Sequence, residues 1–259
     1  MKYFLVEAFT DRLFSGNPAG VCLLEGAWPG ADLMQRIAGE NNLPETAFLR
    51  REEQGWEIRW FTPSFEMDLC GHATLAAGFV VLEKLDGGDR VDFFSPSGPV
   101  SVLQAPEGGY VLDFPARPPV EVPIPAGIEE CLGTRVLGCW QSRDMVVLTE
   151  SAEAVRRLEP DLEKMKAIIP QWGMVPTAAG EDCDFVSRYF DPRDAIAEDP
   201  VTGSAHCSLA PFWAERLGKT TLRARQLSKR GGKLLCVCKE ERVMIGGGAV
   251  LYLEGELHV

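Results

Sequence analysis

Apolar residues along the chain recur with two periods. Residues 3–9, 20–24, 46–50, 56–61 and 91–94 are short runs rich in β-branched and aromatic side chains, the length and composition of strands. Across residues 30–41, Leu33, Met34, Ile37 and Ala38 return at helical spacing, and Pro44 marks the stop. Residues 71–85 are apolar on nearly every side until Glu83, a pattern that predicts a helix enclosed by sheet. Further on, Val155, Leu158, Leu162 and Met165 fall on one side of a predicted surface helix.

The pattern also repeats. Arg59-Trp60-Phe61-Thr62-Pro63 is followed by Cys70-Gly71-His72-Ala73 and a helix ending Glu83-Lys84-Leu85. Arg188-Tyr189-Phe190-Asp191-Pro192 is followed by Thr202-Gly203-Ser204-Ala205 and a helix ending Glu215-Arg216-Leu217. Gly71 and Gly203, like Leu85 and Leu217, stand 132 positions apart, and Gly98 and Gly231 stand 133 apart. The Arg-aromatic-Phe pair is offset by 129, so the second copy carries three extra residues within 191–201. A fixed offset over several landmarks points to internal duplication. Five prolines within residues 115–125 exclude a central strand or a helix and predict a semi-rigid connection. The expected organisation is therefore an N-terminal lobe, 1–117, and a C-terminal lobe, 118–259. The fold class is α+β, each lobe a bent sheet or open barrel around a central helix.

Composition narrows the function. With 259 residues the chain is long enough for a substantial core, and its net charge of -12 argues against nucleic acid. The longest apolar helix candidate, residues 73–82, is too short to cross a bilayer. The first seven residues do not resemble a signal peptide, so a cytoplasmic protein without a membrane partner is expected. Eight cysteines lie mostly in apolar stretches and read as reduced thiols. Cys236-x-Cys238 has strand-like neighbours and reads as core, and with three histidines in all no structural metal is expected.

An acidic chain still binds a small anion if backbone N–H groups converge on it. Gly71 and Gly203 each open a central helix, whose first turn offers such groups and a partial positive charge. A carboxylate held by two such helix starts is the arrangement the repeat suggests. Around these starts lie five candidate groups. Glu45 sits between a helix stop and an apolar strand, which fits either a surface turn or a partly desolvated acid/base. Asp199 precedes Pro200-Val201-Thr202-Gly203, as a helix cap or as a group of the site. His72 follows Gly71, where the helix field disfavours its cation. Ser204 holds the equivalent position in the second copy. Cys70 reads either as a core thiol or as a reactive thiol lowered by the helix start. Its counterpart is Thr202, so a racemase with a thiol on each face of one carbon is unavailable.

Four blocks carry a family resemblance. They are Phe14-Ser15-Gly16-Asn17-Pro18-Ala19-Gly20-Val21, Asn41-Asn42-Leu43-Pro44-Glu45-Thr46-Ala47-Phe48, Asp68-Leu69-Cys70-Gly71-His72-Ala73-Thr74 and Glu198-Asp199-Pro200-Val201-Thr202-Gly203-Ser204-Ala205-His206. In this order they resemble the phenazine-biosynthesis (PhzF-like) isomerase family, essentially end to end. The resemblance implies the diaminopimelate-epimerase-like fold, with the site between two related lobes. It implies a cofactor-independent isomerase and a homodimer. Glu45 becomes the acid/base that moves a proton between carbons of a cyclic, carboxylate-bearing substrate. His72, Asp199 and Ser204 become site residues, and Gly71, Ala73, Gly203 and Ala205 the backbone that holds the carboxylate. Epimerases of the diaminopimelate type carry cysteine at both pre-glycine positions, whereas this chain has Cys70 and Thr202. The block Gln226-Leu227-Ser228-Lys229-Arg230-Gly231-Gly232 resembles shorter family members more than the founding phenazine enzyme. Two alternatives stand beside the isomerase: a one-thiol epimerase or racemase using Cys70, and a non-catalytic binding protein on the same fold.

Overall fold

A computed structural model describes residues 1–53, 55–85, 87–169 and 173–259. Its contacts divide the chain into two units, Met1–Asp113 with Gly246–Val259, and Phe114–Ile245. The elements run β1 (Lys2–Ala8), β2 (Asn17–Leu24), α1 (Ala31–Asn41), β3 (Glu45–Glu52), β4 (Gly55–Phe61), β5 (Glu66–Met67), α2 (Gly71–Val80), β6 (Arg90–Ser95), β7 (Gly98–Gln104) and β8 (Tyr110–Pro115). There follow β9 (Val120–Val122), α3 (Ile128–Leu132), β10 (Val136–Gln141), β11 (Met145–Thr149), α4 (Ala152–Arg156), α5 (Leu162–Ile168), β12 (Met174–Ala179) and β13 (Phe185–Ser187). The chain closes with α6 (Gly203–Leu217), β14 (Thr221–Gln226), β15 (Gly232–Lys239), β16 (Arg242–Gly247) and β17 (Ala249–Glu256).

The boundary departs from the one the prolines suggested. The last strand belongs to the first unit, because β17 pairs antiparallel with β1 from Lys2↔Glu256 to Ala8↔Ala249. A pattern of apolar residues marks a strand but not its partner, so this return was invisible in the sequence. The proline segment is fastened rather than free. Ala116 N–H donates to Glu241 O, and Val120–Val122 forms an edge strand on β10. Arg117 N–H donates to Cys207 O, the carbonyl that Pro211 inside α6 leaves without its helical donor.

The duplication appears directly in the strand directions. In the first unit β1–β2, β2–β3, β3–β4, β4–β6 and β6–β7 run antiparallel, parallel, antiparallel, parallel and antiparallel. In the second unit β10–β11, β11–β12, β12–β13, β13–β14 and β14–β15 follow the same alternation. The central helices take matching places, α2 between β4 and β6, α6 between β13 and β14. Helix α2 is buried on almost every side and packs on β1, β2, β3 and β7. It continues as a π turn to Leu85, the predicted end. Gly78 lets it approach β7 closely, since a Cβ there would stand 2.5 Å from Val102 Cγ1.

The repeated arginines have a job. Arg59 stacks over Phe61 and grips Glu66 with two hydrogen bonds of 2.6 and 2.7 Å. Arg188 stacks over Phe190 and grips Glu198 at 2.7 and 3.0 Å. Glu66 and Glu198 are 132 positions apart and each lies five residues before its helix-opening glycine. Each bidentate pair therefore ties down the segment that leads into a central helix. The three extra residues fall between Phe190 and Glu198.

One predicted element is corrected. The surface helix through Val155 and Met165 is two helices, α4 and α5, separated around Pro160. Proline cannot continue the hydrogen-bond ladder, and Asp161 restarts it by accepting from Lys164 N–H. Val155, Leu158 and Met165 are buried as the pattern required. Among the described residues no helix is long and apolar enough to cross a membrane.

Candidate active site

The predicted site residues form two groups, one in each unit. In the first, Glu45 begins β3, directly after the turn in which Asn42 closes α1 with a left-handed backbone. Its partner in the ladder is Ala19 of β2, which places it one strand from Asn17. Gly71 begins α2 with Cys70 in extended conformation as its N-cap, so His72 stands in the first helical turn. The Glu45 side chain is 15% exposed and His72 3%.

These side chains converge. Nε2 of His72 lies 3.1 Å from Glu45 Oε2, but their alignment is not that of a hydrogen bond and Nε2 has no hydrogen-bond partner. On the other edge of the ring, Nδ1 is 3.0 Å from Asn17 Nδ2 and 3.5 Å from Cys70 Sγ. Burial lowers the His72 pKa to about 3, so the ring is neutral. The neutral form expected from the helix field is present, but desolvation is what enforces it.

Glu45, Cys70 and His72 also bring potential ligand atoms within 4.8 Å of one another. The thiol lies on the Nδ1 edge of the ring and the carboxylate on the Nε2 edge. No zinc spacing marks this set in the sequence, and only the fold brings the three donors together. Proton transfer and hydrogen bonding are what this arrangement suits.

In the second unit the loop before α6 carries Asp199, whose Oδ2 accepts from Thr202 Oγ1 at 2.5 Å. Thr202 is the extended N-cap of α6, the place that Cys70 takes at α2. The equivalence extends one turn further. Thr74 Oγ1 donates to Cys70 O, and His206 Nδ1 meets Thr202 O at 2.8 Å, with Thr74 and His206 again 132 apart. Gly203 and Ala205 are buried and Ser204, counterpart of His72, is half-buried.

Two supporting residues escaped the motif reading. Asn17 is fully buried within β2, inside the Gly16-Asn17-Pro18 block. Gln226 is buried at the end of β14; its amide donates to Asp199 O and Thr202 Oγ1, and its Oε1 accepts from Thr202 N–H. Polar residues at the ends of apolar strands, Asn17 opening β2 and Gln226 closing β14, were the available signal. The late glycine block supports this loop too, since Ser228 Oγ donates to Pro200 O and accepts from Gly231 N–H.

Known proteins share this fold. An uncharacterized isomerase of Pseudomonas aeruginosa is 50% identical over 261 residues, spanning 100% of this chain and 99% of that protein. The crystal structure of a phenazine biosynthesis protein of the PhzF family from Enterococcus faecalis matches with a TM-score of 0.96 at 46% identity, covering 100% of this chain and 99% of that one. A Pseudomonas aeruginosa protein described as a predicted epimerase shares the fold at 19% identity, with a TM-score of 0.79 over 100% of this chain and 99% of its own. The class is thus an isomerase on an epimerase-like α+β frame. The family model described as phenazine biosynthesis-like protein matches residues 6–255, and the chain belongs to that family.

Proposed function

We propose that this isomerase moves a proton between carbons of a small, carboxylate-bearing, cyclic substrate, with Glu45 as the general acid/base. The observation that carries the reading is the Glu45 carboxylate, largely withdrawn from water, 3.1 Å from a neutral buried imidazole at a helix start. A carboxylate accepts a proton from carbon and returns it elsewhere, and a neutral imidazole N–H polarises a substrate oxygen as charge develops. The backbone of Gly71-His72-Ala73, at the start of the helix that carries His72, is suited to supply N–H donors for the substrate carboxylate. No step in this scheme calls for a cofactor.

The test is solvent proton exchange. A panel of cyclic amino acids and hydroxy acids is incubated with the protein in deuterated water, and deuterium at substrate carbon is read by mass spectrometry. Incorporation by the native protein and its loss in Glu45→Gln support the reading. Normal turnover by Glu45→Gln overturns it.

A second reading rests on Cys70, whose thiol lies beside His72 and near Glu45. In a one-thiol epimerase, Cys70 and Glu45 would work as a base and acid pair on one carbon. Alkylation or Cys70→Ala then abolishes exchange as completely as Glu45→Gln.

A further inference from the structure

The two edges of the His72 ring are unequal, and the difference originates in Asn17. An asparagine amide nitrogen only donates, and a thiol S–H is also a donor. Asn17 Nδ2 at 3.0 Å and Cys70 Sγ at 3.5 Å both address Nδ1. The Asn17 amide nitrogen at 3.0 Å requires a lone pair on Nδ1, and the Cys70 S–H can donate to that same lone pair. In a neutral imidazole the single proton then sits on Nε2, the nitrogen nearest Glu45 and without a partner of its own.

We propose that Asn17 is a positioning residue that fixes the tautomer of His72, keeping Nδ1 as acceptor and presenting Nε2–H to the substrate beside Glu45. The inference rests on the reading of Glu45 and His72 given above. With the opposite tautomer, Nε2 would turn a lone pair toward a carboxylate and donate nothing.

The loop before Asn17 is built to hold it. Phe9 and Phe14 adopt φ of 59° and 63°, a backbone region that bulky residues rarely occupy. Such strain persists where the surrounding contacts dictate the conformation. At Gly16, φ is 69° and a Cβ would stand 2.2 Å from Ala8 O, so only glycine fits directly before Asn17. Ser15 N–H donates to Oε2 of the buried Glu7 at 2.9 Å, pinning the loop from the other side. Asn17 itself is fully buried, so its amide has little freedom to swing.

The second unit supplies a built-in contrast. His206 Nδ1 lies 2.8 Å from Thr202 O, and a carbonyl oxygen only accepts, so His206 carries its proton on Nδ1. Burial lowers its pKa to about 4, which keeps this ring neutral as well. The chain therefore holds two buried neutral histidines of opposite tautomer. The third, His258, is exposed.

The experiment is nitrogen NMR on the full chain with ¹⁵N-labelled histidine at neutral pH, using long-range proton correlation to identify the protonated nitrogen of each ring. His258→Gln removes the exposed signal. The expected spectrum shows one buried ring protonated at Nε2 and the other at Nδ1. Asn17→Asp keeps the shape and puts an acceptor in place of the donor. It is expected to bring a proton to Nδ1 of His72 while the His206 pattern stays fixed, which also reports that the variant is folded. Two buried rings both protonated at Nδ1 in the native protein, or an Asn17→Asp spectrum unchanged at both, would overturn the proposal. The native spectrum alone decides even if the variant does not fold. No substrate is involved, so the assignment of the ring proton stands or falls separately from the Glu45→Gln exchange test.

Discussion

His72 and Glu45 approach to 3.1 Å between Nε2 and Oε2 without forming a hydrogen bond. Neither group is spent on the other. The imidazole Nε2 has no hydrogen-bond partner, so in the proposed reaction its proton is available to a substrate oxygen. Such a poised pair is the arrangement expected of a site that acts only when substrate arrives.

Glu45→Gln preserves side-chain volume and removes the base. General acid–base transfer contributes about 10²- to 10⁴-fold, and the exchange rate is expected to fall by that factor.

Cys70→Ala separates the two chemical readings. If Glu45 is the base, exchange is expected to persist within about tenfold, from altered packing at the α2 start. Loss as deep as that of Glu45→Gln would transfer the chemistry to the thiol.

Acid should weaken the fold through its buried histidines. His72 and His206 have folded pKa values of about 3 and about 4, below the ordinary value near 6.5. The unfolded chain thus binds protons that the folded chain refuses. Their stabilisation relative to low pH is complete above about 6.5, and declines as pH falls from there toward the folded values. Each ring contributes a slope of up to about 1.4 kcal/mol per pH unit in that window. Denaturant unfolding at stepped pH values measures it, and His72→Gln should reduce the slope by about one proton.

Gly78→Ala should be destabilising although alanine favours helix. The helix gain is about 1 kcal/mol, whereas an added methyl 2.5 Å from Val102 Cγ1 overpacks the α2 contact with β7 by about 1–3 kcal/mol. Val102→Ala in the same chain is expected to recover part of the loss. A double-mutant cycle by chemical denaturation checks the coupling.

Gln226→Ala leaves Thr202 N–H and the Asp199 carbonyl without their shared partner. An unsatisfied buried group costs about 1–3 kcal/mol, and because Thr202 N–H is buried and the Asp199 carbonyl only part-buried, a stability loss of about 2–4 kcal/mol is expected. Denaturation curves give the size. If Asp199 acts on substrate, the same variant should also lower exchange, because the loop carrying it has lost its anchor.

Much of the framework could be read directly. The strands and central helices followed from local periodicity. The duplication followed from a constant offset, and the structure repeats it in strand direction, in the Arg59–Glu66 and Arg188–Glu198 pairs, and in the caps of α2 and α6. Pro160 shows how a local rule can be overlooked in a favourable apolar pattern. Asn17 and Gln226 show a different gap. Their roles depend on partners 55 and 24 positions away, and no local pattern names a distant partner.

The sequence by itself determined which segments become strand or helix, and that one plan is used twice, because side-chain period and turn chemistry are local properties of the chain. Only the tertiary structure decided that the last strand closes on the first. Only it could set Glu45, Cys70 and Asn17 around the ring of His72, because burial and hydrogen-bond direction are properties of surroundings assembled from distant residues. The neutrality of His72 is the plainest case: its position at a helix start was written in the chain, but the dry enclosure that enforces its charge state exists only after folding.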